Sequence, residues 1–408
     1  MNYEELSQAI AKAELRQRTD CAVCSHALGT PAIDLPGLPL SEVYVREKPD
    51  EPIGLIDQSF HLCERCGHGQ VSTIVDPELL YGFGCYAFKT SRSSSSIAGN
   101  NYFHKFIQSV DSQTHFANIV EIGCNDVYLL KLLEDRGEHL VGIDPVLKTE
   151  EASVDDERIQ LIPEFFEDVD LRTVLNPGST LVVSSHNLEH VEDPRGMIAT
   201  LFEYLSEDDL VILQFPGLET LLEDHRFDQI FHHHLHYFSL RSFEYLVSEL
   251  GGELLAYDVN RRHWGSLLVA FRKSKDYELR HAADYAKDHT ATAVQQKFTR
   301  FREALHQTCD YIRAYSGPTY GYGAALSLPI LAHHMGSNLS ELNGVIDDDP
   351  NKTGMYYLGL PSPIVHSTDV GSLRDVNIVL TAVNNARDIL PKLFQLGPRN
   401  VIVPSFSC

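Results

Sequence analysis

The chain has 408 residues, 43% of them hydrophobic and 22% charged, proportions of a globular protein with material for two or three domains. Its formal charge is −24, from 33 basic against 57 acidic residues, which argues against nucleic acid and anionic membranes as partners because both need clustered Lys and Arg. No apolar stretch approaches the roughly 20 residues of a membrane span. Met1 to Arg16 reads as a charged helix rather than a signal peptide, so the expected setting is the cytoplasm, as a monomer or homodimer.

The first region, residues 1–75, contains Cys21-Ala-Val-Cys24 and Cys63-Glu-Arg-Cys66. Each short turn presents two thiolates to one ion, and two such knuckles make a closed tetrahedral site for structural Zn2+. Sulfur fills every position, leaving no vacancy for catalysis. The segment between the knuckles must fold back to bring them together. Cys85, Cys124, Cys309 and Cys408 read as ordinary thiols, and His68 as a surface residue.

Residues 76–275 alternate strand-like and helix-like runs, the pattern of a parallel α/β sheet. Strands are expected at Asn118–Ile122, Leu140–Ile143, Thr180–Ser184, Leu210–Gln214 and Ser266–Phe271, with a helix from Tyr128. Residues 276–408 open with a polar helical stretch, Tyr277–Tyr315. A second, smaller Rossmann-type unit follows, with strands at Thr319–Ala324, Leu342–Ile346, Val376–Leu380 and Val401–Val403.

A strand ending in an acid, a glycine turn and a helix bind a nucleoside cofactor, with a second acid at the next strand tip for the ribose hydroxyls. Glu121, Gly123 and Asp144 fit that pattern. NAD and S-adenosylmethionine (SAM) both use it. Two details favour SAM: the turn lacks the G-x-G-x-x-G that a pyrophosphate needs, and Glu121 suits the ammonium of a methionine moiety.

Phe231-His-His-His-Leu-His-Tyr-Phe-Ser239 concentrates four imidazoles in six residues, which suits a metal site, an acid/base site or a solvated patch. On a strand, His232 and His234 would point the same way and could chelate a metal. The complete thiolate site elsewhere and the lack of a matching carboxylate favour acid/base chemistry. His186 and His190 have a metal-like spacing but read as a polar cap near the cofactor. His333-His334 reads as surface, Trp264 as core or substrate wall, and Asp347–Asp349 as a strand-end turn.

Glu121-Ile-Gly-Cys-Asn-Asp-Val-Tyr-Leu-Leu130 resembles the E-I-G-[SC]-N-D-G-x-L-L loop of SAM-dependent sugar C-methyltransferases, which act on nucleotide-linked 4-keto-6-deoxy sugars. His186-Asn-Leu-Glu-His190 resembles their H-V-L-E-H, Gly321-Tyr-Gly-Ala324 and Asp347-Asp-Asp-Pro350 their C-terminal turns, and Thr381-Ala-Val-Asn384 their T-A-W-N. The resemblance runs through nearly the whole chain, zinc module included. It implies an N-terminal zinc module, a central class I methyltransferase domain and a C-terminal Rossmann-like α/β domain.

By that resemblance SAM is held by Glu121, Gly123, Asn125, Asp126, Asp144, His186 and Asn187. Y-H-E-H followed by Y-F-S in the family falls on Phe231–His234 and Tyr237–Ser239, implying His234 as the base, with His232, His233 and Tyr237 beside it. Tyr81, Tyr86, Ser91, His263, Tyr322 and Gly323 are the implied contacts for a nucleotide-linked sugar. Three positions depart. Phe231 replaces Tyr and has no hydroxyl for a developing enolate, so another donor, with His233 and Tyr237 nearest, must meet that charge. His233 replaces Glu, and Val127 places a β-branched side chain where the cofactor loop has Gly. An enzyme of another class on this scaffold, or a non-methylating relative, is the alternative those departures suggest.

Overall fold

The computed structural model describes residues 3–49, 51–81, 89–149, 156–261, 263–275 and 289–406. Its centre is a seven-stranded sheet, ordered Gly252–Asn260, Ser266–Lys273, Leu210–Pro216, Thr180–Ser185, Phe116–Ile122, Gly137–Ile143, Ile159–Ile162. The five strands from Leu210–Pro216 to Ile159–Ile162 are parallel; Ser266–Lys273 and Gly252–Asn260 add antiparallel. Central strands such as Leu210–Pro216 are buried on both faces, which is why they read as unbroken apolar runs. The chain reverses direction in the sheet order between Phe116–Ile122 and Thr180–Ser185. At such a switch point the loops beyond the strand ends diverge and leave a crevice.

The five expected strands of this sheet are present. Ile159–Ile162 and Gly252–Asn260, which the pattern did not signal, complete it. The expected N-terminal helix is shorter than Met1–Arg16: it spans Tyr3–Lys12, and Leu15–Gln17 instead pairs antiparallel with Thr73–Val75. The open edge of Thr73–Val75 captures that segment, a tertiary pairing that overrides local helix propensity.

The segment between the cysteine knuckles folds back as an antiparallel pair, Ile33–Pro39 with Leu55–Leu62, with a register shift at Pro36-Gly37. Gly69–Val71 extends this sheet, and its fourth strand, His236–Tyr237, comes from the histidine segment. The N-terminal sheet is thus completed from the central region.

In the C-terminal part, Ala291–Ala314 is a helix capped by Thr290; residues 277–288 of the expected helical stretch lie outside the described residues. A five-stranded parallel sheet follows, ordered Ile364–His366, Val345–Asp347, Thr319–Tyr322, Asn377–Leu380, Asn400–Ile402. Tyr44–Val45 pairs with Tyr356–Tyr357, tying the N-terminal module to this unit. Among the described residues, no helix is long and apolar enough to cross a membrane.

Candidate active site

A cavity of about 590 Å³ opens at the switch point of the central sheet, a size usual for small-molecule sites. One wall is the loop after Phe116–Ile122. Gly123 has φ +75, and a Cβ there would stand 3.0 Å from Asn187 Cβ, so glycine lets the two loops close on each other. The Asn125 amide donates to Asp144 Oδ2 at 2.8 Å and the Val146 amide to Asp144 Oδ1 at 2.9 Å. Both carboxylate oxygens keep acceptor capacity toward the cavity, although burial raises the acid's pKa. Phe165, Phe166, Glu167 and Asp168 form the next part of the wall.

The strand repeat of two settles the fate of Glu121. Ile122 faces the cavity, whereas the Glu121 carboxylate is buried on the far side, accepting from the Leu130 amide at 2.9 Å. It does not line this cavity, and burial holds its pKa well above the usual carboxylate range. Asp126 also lies off the wall, accepting from the Ser91 amide at 2.8 Å. Val127 caps the helix Tyr128–Leu132 with φ +58 and packs in the apolar core rather than into the cavity.

The opposite wall carries His186, Asn187, His190 and His233. His186 and His190 do not share a helical face: the segment is a turn entered by His186 at φ +54. His186 Nδ1 lies 3.1 Å from Glu189 Oε1, and its Nε2 lies 3.0 Å from Ser266 Oγ and 3.3 Å from His263 Nδ1. The Glu189 carbonyl accepts from the amides of Leu235 and His236, at 2.7 and 3.2 Å, and so fastens the histidine segment to this turn. Burial pushes the imidazoles of His186 and His233 down to about 4 and the Glu189 carboxyl up to about 7.

The four histidines of the segment do not act together. His232 does not chelate with His234, because residues 231–235 form a turn and not a strand. Its Nδ1 faces Gln58 Nε2 at 3.2 Å and its Nε2 faces Leu38 O at 3.1 Å, so the ring is a neutral structural link to the N-terminal sheet. His236 pairs with His68 at 3.1 Å; His68 is therefore buried, against the surface reading. His234 lies behind the wall, its ring 5.0 Å from His190 and tilted against Phe231 at 4.2 Å. The Tyr237 hydroxyl donates to Gln229 O and accepts from the Phe231 amide, so its polar end is turned to backbone.

Of the remaining expected contacts, His263 joins the site through His186, under Trp264 stacked at 5.0 Å. Ser91 is exposed and bonded to Asp126. Tyr322 and Gly323 end the first C-terminal strand, off this cavity. Tyr81 ends the helix Pro77–Tyr81, and Tyr86 lies outside the described residues. His334 is buried between Phe298 and Phe301, contrary to the surface reading, because the helix Leu328–Met335 packs that side against Ala291–Ala314.

Sequence reasoning missed Glu42. Its carboxylate Oε2 lies 3.8 Å from His233 Nε2, its amide donates to Leu326 O, and it adopts φ +66. A non-glycine residue in that conformation is uncommon. Glu189 was also missed, although His-x-x-Glu-His carries it in plain view.

The four knuckle cysteines converge, with Cys21 Sγ 3.6 Å from Cys66 Sγ and Cys24 Sγ 3.5 Å from Cys63 Sγ. Four thiols at that spacing, on turns closed by Cys21 O···Ser25 N and Cys63 O···Gly67 N, fit one tetrahedral ion.

The sheet order, the antiparallel last pair and a cavity at the switch point define a class I methyltransferase domain. Residues 66–257 match the family described as "Methyltransferase domain", residues 21–81 "Putative zinc binding domain" and residues 255–400 "C-methyltransferase C-terminal domain". Together the three matches run from residue 21 to residue 400, with the methyltransferase domain at the centre. The C-methyltransferase NovU of Streptomyces niveus is 25% identical over 283 residues, 66% of this chain and 64% of that protein, just under two thirds of the relative's length. The N-methyltransferase NodS of Bradyrhizobium japonicum WM9 is 14% identical, covering 43% of this chain and 96% of its own, at a TM-score of 0.33. An S-adenosylmethionine dependent methyltransferase of Mesorhizobium loti is 14% identical, covering 45% and 99%, at a TM-score of 0.34.

Proposed function

We propose that the protein is a SAM-dependent C-methyltransferase whose acceptor is a nucleotide-linked keto-deoxy sugar. The observation that carries this reading is the cavity itself, which runs from Gly123 and Asp144 at one end to His190 and His233 at the other. Asp144 would accept the ribose hydroxyls, Phe166 would pack on the adenine, and the turn Gly123–Asn125 would bracket the methionine end. SAM, when bound, supplies an electrophilic methyl on a positively charged sulfur.

Carbon becomes nucleophilic only after a neighbouring ketone acidifies its C–H and a base takes the proton. His233 is a wall imidazole with a carboxylate 3.8 Å from its Nε2, slightly nearer than the 4.0 Å between Glu189 and His190 Nε2, and burial keeps it neutral and able to accept. The base is therefore assigned to His233, with Glu42 balancing the imidazolium, rather than to His234 behind the wall. The nucleotide would rest on the C-terminal unit near Tyr322 and Gly323. That assignment is supported by the contacts joining the Glu42 loop to that turn, Glu42 N to Leu326 O and Tyr44 Oη to Ala324 O. The knuckle cysteines would hold Zn2+ as a structural ion.

The test is proton exchange. Incubated in deuterated water with a panel of nucleotide-linked keto-deoxy sugars, the enzyme should label the carbon beside the ketone, and His233→Ala should not. Labelling unaffected by His233→Ala would overturn the assignment of the base, and no labelling of any such sugar would overturn the substrate class.

A further inference from the structure

Beneath the imidazole wall, one donor atom each from Glu189, His190 and His234 lie within 4.8 Å of one another. Glu189 and His190 are also held by neighbours. His190 Nδ1 lies 2.8 Å from the His233 carbonyl, so it carries the proton and leaves Nε2 as a lone pair, 4.0 Å from Glu189 Oε1. An imidazole N–H held by a backbone carbonyl is the usual way in which the other nitrogen is aimed at a metal. His186 Nδ1 positions Glu189 Oε1 at 3.1 Å. Glu189 Oε2 and His234 Nδ1 are buried, in residues 1% and 6% exposed, with no hydrogen-bond partner among the described residues.

A hydrogen-bonded proton relay does not account for this arrangement, because 4.0 Å between Glu189 and His190 is too long for a hydrogen bond. It is a separation that an ion with bonds of about 2.0–2.2 Å can draw together. A buried carboxylate with an unmet oxygen is costly unless a cation or donor meets it. The carboxylate whose absence argued against a metal is thus present, supplied by the turn that carries His186 and His190.

We propose that Glu189, His190 and His234 bind a divalent transition-metal ion, at a second site separate from the four cysteines. Two imidazoles and a carboxylate suit zinc or a neighbouring first-row ion, and three protein ligands leave a coordination position open, as in catalytic sites. His190 also lines the cavity, so that position is reached from the substrate side. Resting on the reaction proposed above, the ion acts as a Lewis acid on the keto oxygen and takes up the charge for which Phe231 has no hydroxyl.

Metal-stripped protein titrated with Co2+, without SAM or sugar, tests the site independently of methyl transfer, for which SAM calorimetry is the separate check. The wild type should take two equivalents per chain, one with the thiolate charge-transfer absorption of the cysteine site and one with ligand-field bands alone. Glu189→Gln and His234→Gln should keep the thiolate-bound equivalent, which reports that the variant is folded, and bind the second at least tenfold more weakly. Saturation of the wild type at one thiolate-bound equivalent would overturn the proposal, as would a second equivalent that both variants retain. Cobalt-edge X-ray absorption on the wild type decides without variants: a nitrogen/oxygen shell including imidazole is expected for the second equivalent, and sulfur in it would contradict the site.

Discussion

Glu42 Oε2 lies 3.8 Å from His233 Nε2, so an acid from the N-terminal module stands beside an imidazole of the central domain's cavity wall. The family motif places Glu where this chain has His233. Here an acid reaches the same neighbourhood from another part of the chain, in a left-handed conformation and with its backbone N–H donating a hydrogen bond to Leu326 O. Burial raises the pKa of this carboxyl, and His190 acts in the opposite direction. If Glu42 balances a protonated His233, Glu42→Gln should lower kcat by about 10- to 30-fold, roughly 1–2 kcal/mol of barrier, with little change in KM. Steady-state kinetics on the two proteins provides the check; an unchanged kcat would remove Glu42 from the reaction.

The cysteine site should control the active site at a distance. Gly69–Val71, three residues past Cys66, pairs with His236–Tyr237, and the Val71 amide donates to Leu235 O. Cys63→Ser should therefore lower Tm and abolish activity together, although the cysteines do not line the cavity. Melting temperature and turnover of this variant should both fall below those of the wild type, and wild-type turnover in a destabilised variant would contradict the coupling.

Val127 is a β-branched residue at φ +58, a costly backbone conformation, and it is also buried. Ordinarily, removing more buried side chain destabilises more. At this position Val127→Gly should be no worse than Val127→Ala, because only glycine relieves about 1–2 kcal/mol of left-handed strain. Denaturant unfolding of both variants tests the order, and a glycine variant clearly less stable than the alanine one would refute it.

His334 packs between Phe298 and Phe301, and burial holds its pKa well below the ordinary imidazole value. A histidine whose folded pKa is depressed leaves stability unaffected above the unfolded value of about 6.5 and removes it as pH falls below that. His334→Leu should therefore lose less stability than the wild type between pH 6.5 and pH 5. Parallel acid-unfolding curves would contradict this.

What was legible in the sequence follows from what carries a local signal. Doubly buried strands such as Thr180–Ser185 and Leu210–Pro216 announce themselves as apolar runs, and the CxxC pairs announce a thiolate cluster. Ile159–Ile162 escaped because it is an edge strand of four partly exposed residues between charged segments. Glu121 was given to the cofactor because a strand-end acid does not reveal which face it takes until the pleat is known; Ile122 took the cavity. The histidine segment read as a unit, yet tertiary packing divided it. His232 went to Gln58 and Leu38, His236 to His68, His233 to the wall and His234 behind it. Glu42 had no signal, since its role depends on a loop packing across two other parts of the chain.

The central claim is that the cavity between Asp144 and His233 is a SAM site, and calorimetric titration of the purified protein with SAM tests it most directly. The account predicts saturable one-to-one binding by the wild type and affinity at least tenfold weaker in Asp144→Ala. Absence of binding by the wild type, or equal affinity in the two proteins, would contradict it.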